Sequence, residues 1–470
     1  MPCQMAEGFY FLVVQGLRAV KSTPSPAEAA EIILLFRLSE CFCGESGLCC
    51  IFSVHFFPEA CYTVPSFSKQ AERMEVKRKN LAYAVVYAAY ASIYMARLNL
   101  SMAGPDLKAE GVLSTAQIGY LGTAFSVIYA AGRLYNGMRS DTEEPRKMIF
   151  TGLLLCGAAN ILFGLFPPFP GILLLWAVNA FAQSMLWSSV LRMVDHLYKE
   201  DSSLLTRRLS TMVSSVASGN IAGILIAMFL IARLGVRWAF LVPGLITLLM
   251  GLLVFSTAPV LSEEGKRAAA AGQKAGFGRI FRLLLDREVR TAAIPSICHG
   301  IMKDNVTLWM AVYFVDTYAI DIASSAGYVL FIPLIGLLAR LLYPASLRMC
   351  GNNEHRVSLL SFIGCLLSSL VLIFIRQPVV AVIALSLVYA FTSLINSSML
   401  SIFPARFEKK GCMASVGGLM DFGNYLGAAA GSFIFGHTID ALGYGFMFGF
   451  WAAVSVLSIP LLLRLNRKVE

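Results

Sequence analysis

From Leu81 onward the chain alternates long apolar segments with short polar breaks, at about 81–103, 115–137, 148–166, 170–197, 206–232, 235–256, 290–315, 323–345, 356–375, 378–403, 413–437 and 441–463. Each is close to or above the ~20 residues that carry a helix across the hydrocarbon core of a bilayer. Inside lipid every backbone N–H and C=O must pair within its own segment, and a closed barrel would read as short alternating strands instead. The expected fold class is therefore all-α membrane protein, with twelve transmembrane helices in two six-helix halves. Composition agrees: 57% of the residues are hydrophobic and 14% charged, whereas soluble domains are about one quarter charged.

Residues 1–73 read differently. The apolar runs Phe9–Val14, Ile32–Phe36 and Ile51–Phe57 are too short to span, and no basic residue precedes the first, so a secretory signal is not expected. Cys41, Cys43, Cys49 and Cys50 cluster, but no second motif of matching spacing follows, so no metal is expected. At Met74 the sequence restarts as Met-Glu-Val-Lys-Arg-Lys-Asn, a basic flank ahead of an apolar helix. The expectation is a poorly structured extension over 1–73, with Met74 as an alternative start. An N-terminal half then occupies 74–256, a cytoplasmic linker 257–289, and a C-terminal half 290–470. The linker segment Phe277–Leu285 fits a short basic amphipathic helix on the membrane surface.

Lysine and arginine fix the expected orientation. Arg139, Arg146, Lys147, Lys199, Arg207, Arg208, the linker cations from Lys266 to Arg287, Arg406, Lys409 and Lys410 share one side; the other has only Lys108, Arg233, Arg237 and Arg376 in its loops. The positive-inside rule makes the first side cytoplasmic, and an even number of spans puts both termini there. The net charge of +10 is mostly this signal. It offers no basic face away from the membrane, so nucleic acid is not an expected partner.

The halves repeat. Gly219-Asn220-Ile221-Ala222-Gly223 returns as Gly423-Asn424-Tyr425-Leu426-Gly427, an offset of 204 residues (423 − 219), and Ser188-Ser189-Val190-Leu191 returns as Ser397-Ser398-Met399-Leu400, an offset of 209 (397 − 188). The same shift carries Arg97 near Lys303 and Arg133-Leu134 onto Arg340-Leu341. A charge at the bilayer centre costs several kcal/mol unless it meets water, a partner or a ligand. Four cations at related depths thus suggest an electropositive central cavity for a small anion, with snorkelling or helix-packing ion pairs as the competing reading, strongest for Arg340. Asp304 follows Lys303 and points about 100° away around the helix, while Asp421 shares a face with Tyr425. Either carboxylate can carry a proton between states, with Asp421 pairing to a cavity cation such as Lys303 in one of them, or can simply neutralise a cation. His299 reads as a hydrogen-bonded helix residue, and Asp195 and His196 as interfacial. No nucleophile or metal cluster shares a helical face, so neither an enzyme nor a cofactor is expected.

From about 81 to 463 the chain resembles the major facilitator superfamily. The loop signature is Gly137-Met138-Arg139-Ser140-Asp141 with Arg146-Lys147; its second copy, at Tyr343–Arg348, is degraded. Within the superfamily it resembles the organophosphate:phosphate antiporters of glycerol 3-phosphate and hexose phosphates, through Tyr90, Tyr94 and Arg97, Tyr129 and Arg133, Lys303 with Trp309 and Tyr313, and Tyr425-Leu426-Gly427. The resemblance implies a secondary transporter working by alternating access as a monomer, gated by Gly137, Asp141 and Arg146. It also implies a substrate clamp of Arg97 and Lys303, helped by Arg133, with Tyr90, Tyr94, Tyr129 and Tyr425 offering hydroxyls and ring faces. Three departures stand out: Lys303 replaces an arginine and loses its bidentate fork, Gly219 sits where a histidine is expected, and Asp421 replaces a small residue. The expected function is transport of a small organic anion, phosphate ester or carboxylate, across the cytoplasmic membrane. The rivals are a transporter-like sensor of such an anion and a proton-coupled symporter of another solute.

Overall fold

The structure, a computed structural model, describes residues 60–140, 142–259, 283, 285–320, 322–408 and 412–467, with side chains described from residue 73 except at 322–327 and 414. Asp141, linker residues 260–282 and 284, Lys409, Lys410 and the chain up to residue 59 lie outside that description. Two compact units divide the chain at Val76/Lys77, and the membrane body is Lys77–Glu470.

The apolar segments form helices α1 (Ala60–Ala109), α2 (Thr115–Ser140), α3 (Pro145–Phe163), α4 (Phe169–Ser184), α5 (Leu186–Tyr198), α6 (Ser202–Leu234), α7 (Trp238–Thr257), α8 (Arg287–Tyr318) and α9 (Ile322–Leu341). There follow α10 (Tyr343–Met349), α11 (Glu354–Phe374), α12 (Pro378–Asn396), a π-helical turn over Ser397–Ile402, α13 (Phe403–Ala405), α14 (Met413–Leu442) and α15 (Tyr444–Asn466). Among the described residues, counting α4 with α5 and α12 through α13 as single spans, and α9 with α10, bent by 53°, as one broken span, gives the twelve expected segments. Side-chain caps set several starts. Asp201 accepts the N–H groups of Ser203 and Leu204, Asp286 those of Glu288 and Val289, and Asn353 those of His355 and Arg356.

Among the described residues eight helical spans are long and apolar enough to cross a membrane on composition alone, α9 passes only together with α10 as a ninth, and α2, α8 and α14 are not among them. Those three carry Arg133, Lys303, Asp304 and Asp421. Lower hydropathy in these helices is the sequence signature of faces turned toward protein and cavity instead of lipid.

Small residues set the packing inside each half. A Cβ on Gly219 would strike the Ala91 carbonyl, and one on Gly223 would lie 3.0 Å from the Tyr94 oxygen, so α6 lies backbone to backbone on α1. Its repeat does the same: a Cβ on Gly427 would strike the Ile297 oxygen, and one on Gly300 the Asn424 oxygen, pressing α14 onto α8. The position where the resemblance expects a histidine therefore has room for no side chain at all.

The N-terminal half is also tied by a buried polar knot. Asn99 Nδ2 donates to Asn160 Oδ1 (2.8 Å) and to the Ala239 carbonyl (3.1 Å), while Asn179 donates to the Ala96 carbonyl (3.0 Å) and accepts from Gln183 (3.1 Å) and Cys156 (3.0 Å). Four helices share it, and Asn179 sits at its centre. Replacing Asn179 with leucine strands a backbone carbonyl and several side chains at once, and should cost about 2 kcal/mol. Thermal unfolding in detergent checks this; a melting temperature equal to wild type would mean that the knot adds nothing.

The halves meet along one side of the molecule. Lys108 Nζ pairs with Asp316 (2.9 Å) and Asp440 (3.5 Å), Thr115 Oγ1 donates to Asp440 (2.8 Å), and Ser101 Oγ donates to the Thr307 carbonyl. Between them α2 and α14 touch at glycine, where a Cβ on Gly119 would lie 2.6 Å from the Gly436 Cα. Toward the opposite ends of these two helices, near Arg133 and Gly418, the halves part around a cavity.

Candidate functional site

The cavity holds about 420 Å³ and is lined by Ala130, Arg133 and Leu134 of α2, Trp187 and Ser188 of α5, Asn396, Leu400 and Ser401 of α12 and the π turn, and five α14 residues including Gly418, Asp421, Phe422 and Tyr425. Local backbone irregularity shapes two of these walls. Helix α4 breaks into α5 at Met185, just before Trp187, and α12 passes into π geometry just after Asn396. A wider turn re-aims side chains that a regular helix would point elsewhere. Gly418 has nothing within 4 Å of where its Cβ would be, so the α14 wall is open there.

Of the expected substrate contacts, Arg133 and Tyr425 line this cavity. The others form a layer beside it. The Tyr129 and Tyr425 rings are 4.8 Å apart, and the Arg97 guanidinium carbon lies 5.4 Å from the Tyr129 ring and 4.5 Å from the Phe125 ring. Arg97 makes no ion pair among the described residues, so its charge meets ring faces and Coulombic neighbours only. Tyr90 packs on Tyr94 (5.9 Å) and on cavity-lining Trp187 (5.2 Å). Lys303 lies outside the lining, its Nζ 3.1 Å from Asp304 Oδ1, and Asp304 is also within Coulombic range of Arg97. The second carboxylate oxygen of Asp304 is buried without a hydrogen-bond partner.

Both carboxylates are paired with cations in this structure, one of them with a partner other than the example expected. Asp421 pairs with Arg133, Nη2 to Oδ2 at 3.0 Å, and not with Lys303. Helices α2 and α14 pack directly, so the long arginine arm reaches across, while Lys303 is engaged by its own neighbour. Asp304 neutralises Lys303, one of its two expected roles, although it stands about 100° further round the helix, because the flexible lysine stem folds back onto it. Arg340 is half-buried on α9, its Nε has no hydrogen-bond partner, and it does not line the cavity. His299 is buried with Nε2 2.9 Å from the Thr392 carbonyl, and Trp309 is a core residue bonded to Asn305. In the loop signature, Arg146 reaches Glu144 (3.4 Å) and the Phe255 carbonyl (3.3 Å), and Gly137 faces open space.

Trp187, Ser188, Asn396 and Ser401 escaped the sequence reading. A signal was present: the 209-residue offset that matches Ser188 to Ser397 also matches Trp187 to Asn396, one residue from each half on opposite cavity walls.

The profile of the Major Facilitator Superfamily matches residues 86–420. A probable hexose phosphate transport protein of Chlamydia muridarum is 29% identical over 180 residues, 38% of this chain and 38% of that protein. A probable hexose phosphate transport protein of Chlamydia pneumoniae is 27% identical over 440 residues, 85% of this chain and 94% of its own length. Among solved structures, a bacterial homolog of the human lysosomal transporter Spinster superposes with a TM-score of 0.64 at 14% identity, covering 83% of this chain and 95% of that one, a likeness of fold.

Proposed function

The chain belongs to the Major Facilitator Superfamily, and from that premise we propose that this multi-pass membrane protein is a secondary transporter of a small organic anion, a phosphate ester or a carboxylate. The observation that carries the reading is Arg97, a half-buried cation set against two aromatic rings with no described acid paired to it, beside a cavity lined by both halves. An anion supplies what that guanidinium lacks. The hexose phosphate named for the Chlamydia relatives favours a phosphate ester.

Transport follows from the same geometry. The seam at Lys108 closes one side while the cavity beside Gly418 opens the other; rocking the halves about Arg97 and Lys303 would exchange the two. Bound substrate offsets the repulsion between those cations and so favours passage through a closed state. In this reading the Gly418 side is cytoplasmic, since it carries Arg139, Arg146 and Arg406. Asp421 and Asp304 are the groups available for proton coupling.

The test is exchange of labelled phosphate esters and carboxylates by reconstituted protein. Binding without flux would make it a sensor, and neither binding nor flux would end the proposal. Lys303→Arg adds a sharper outcome. If phosphate is recognised, the guanidinium fork should keep exchange within about threefold of wild type or improve it. A uniform loss toward every anion would say that the compact ammonium is required.

A further inference from the structure

The charges around the site do not cancel. Among the described residues, Arg97, Arg133 and Lys303 face Asp304 and Asp421; Arg133 is paired with Asp421 at 3.0 Å and Lys303 with Asp304 at 3.1 Å, which leaves one cation in excess. His299, its Nε2 directed at the Thr392 carbonyl and no acid among the described residues paired with it, is counted as neutral. The groups that face Asp421 bring no further charge. They are Arg133 and Tyr129 from α2 and Tyr425 from its own helix, while Trp187, Ser188, Asn396 and Ser401 on the opposite walls are neutral. In a medium of low dielectric an unmatched charge is costly in either direction, so a site selects ligands by charge number as well as by shape.

Resting on the anion-transport reading above, we propose that this site is matched to a singly charged head group, and that a doubly charged one enters only together with one proton. The proton goes either to the ligand itself or to Asp421 Oδ2, which releases the Arg133 guanidinium to the second negative charge. Charge balances in both cases: one excess cation against a monoanion, or two freed cations against a dianion with Asp421 neutral. Asp421 is the acceptor because its pair stands at the cavity wall, whereas Asp304 lies behind the lining.

Two esters of one sugar separate charge from shape. Glucose 6-sulfate carries one negative charge throughout pH 5–8, while glucose 6-phosphate passes from one to two as pH rises through about 6. In calorimetric titration of the purified full chain, sulfate-ester affinity should be flat with pH. Phosphate-ester affinity should fall about tenfold per unit above pH 7, because the complex holds a proton that the free species lack. Asp421→Asn raises the excess to two. It should abolish that slope and shift the phosphate-to-sulfate affinity ratio at pH 8 at least tenfold toward phosphate. Adding Arg133→Gln restores an excess of one, and the slope should return even though no carboxylate remains at 421. A wild-type protein that binds both esters without a slope overturns the charge count and leaves the anion site standing. One that binds neither ester at any pH overturns the phosphate-ester reading and the count with it. A slope that survives in Asp421→Asn, or stays absent in the double variant, also overturns the count.

Discussion

Arg97→Gln should reduce anion exchange by about a hundredfold or more, while the protein still reaches the membrane and melts near the wild-type temperature. Hydrogen bonds to a charged group contribute about 1.5–3 kcal/mol each, and glutamine removes the charge without adding bulk. Arg97 has no described acid to leave stranded, so its loss unpairs nothing in the protein and falls on the ligand. Arg133→Gln is the useful contrast. It strands Asp421 and should lower stability along with activity. Initial exchange rates in proteoliposomes, normalised to inserted protein, make the comparison; an Arg97→Gln rate within threefold of wild type removes Arg97 from the site.

The second large effect is on folding. Gly427→Ala and Gly300→Ala place a methyl group on a carbonyl oxygen of the facing helix, at Ile297 and Asn424 respectively, where neither partner is a flexible side-chain tip. Helices α8 and α14 would have to separate, and their contact is one of the most extensive in the body. Overpacking of this kind costs about 1–3 kcal/mol and sometimes more. Both variants should show a sharply lower melting temperature and folded yield. Gly418→Ala, with nothing within 4 Å, should match wild type. If Gly427→Ala melts like Gly418→Ala, the close approach of these helices does not support the fold.

The two sets of expectations show what a sequence of this kind reveals. Twelve rods were legible because bilayer thickness imposes a length on apolar runs, and the cations were legible because internal repetition puts Arg97 against Lys303 and Arg133 against Arg340. The break at Met185 and the π turn after Asn396 were not, since the small polar residues around them, Gln183 and Ser184 or Ser397 and Ser398, suit a straight membrane helix equally well. Pairing was the least legible feature. Whether Asp421 meets Arg133 or Lys303 depends on which helices touch and how far a side chain bends, and neither is written in spacing. The empty position at Gly219 was visible as a departure, but its cause, the Ala91 carbonyl pressed against it, needed the neighbouring helix.

The glycine seam between α2 and α14 has a bearing on leakage. At Gly119 and Gly436 the two halves close main chain upon main chain, and one turn further on a Cβ at Gly122 would lie 2.8 Å from the Ser432 hydroxyl oxygen. At the Gly119–Gly436 contact itself the nearest atoms are main chain, so no side-chain rotation there could open a transient wire of water for protons or small ions. That contact can be breached only by moving whole helices, the same displacement that alternation of the halves requires. Insulation and turnover are thereby tied to one motion: any substitution that props this seam apart, even by a methyl group, should dissipate ion gradients before it slows exchange.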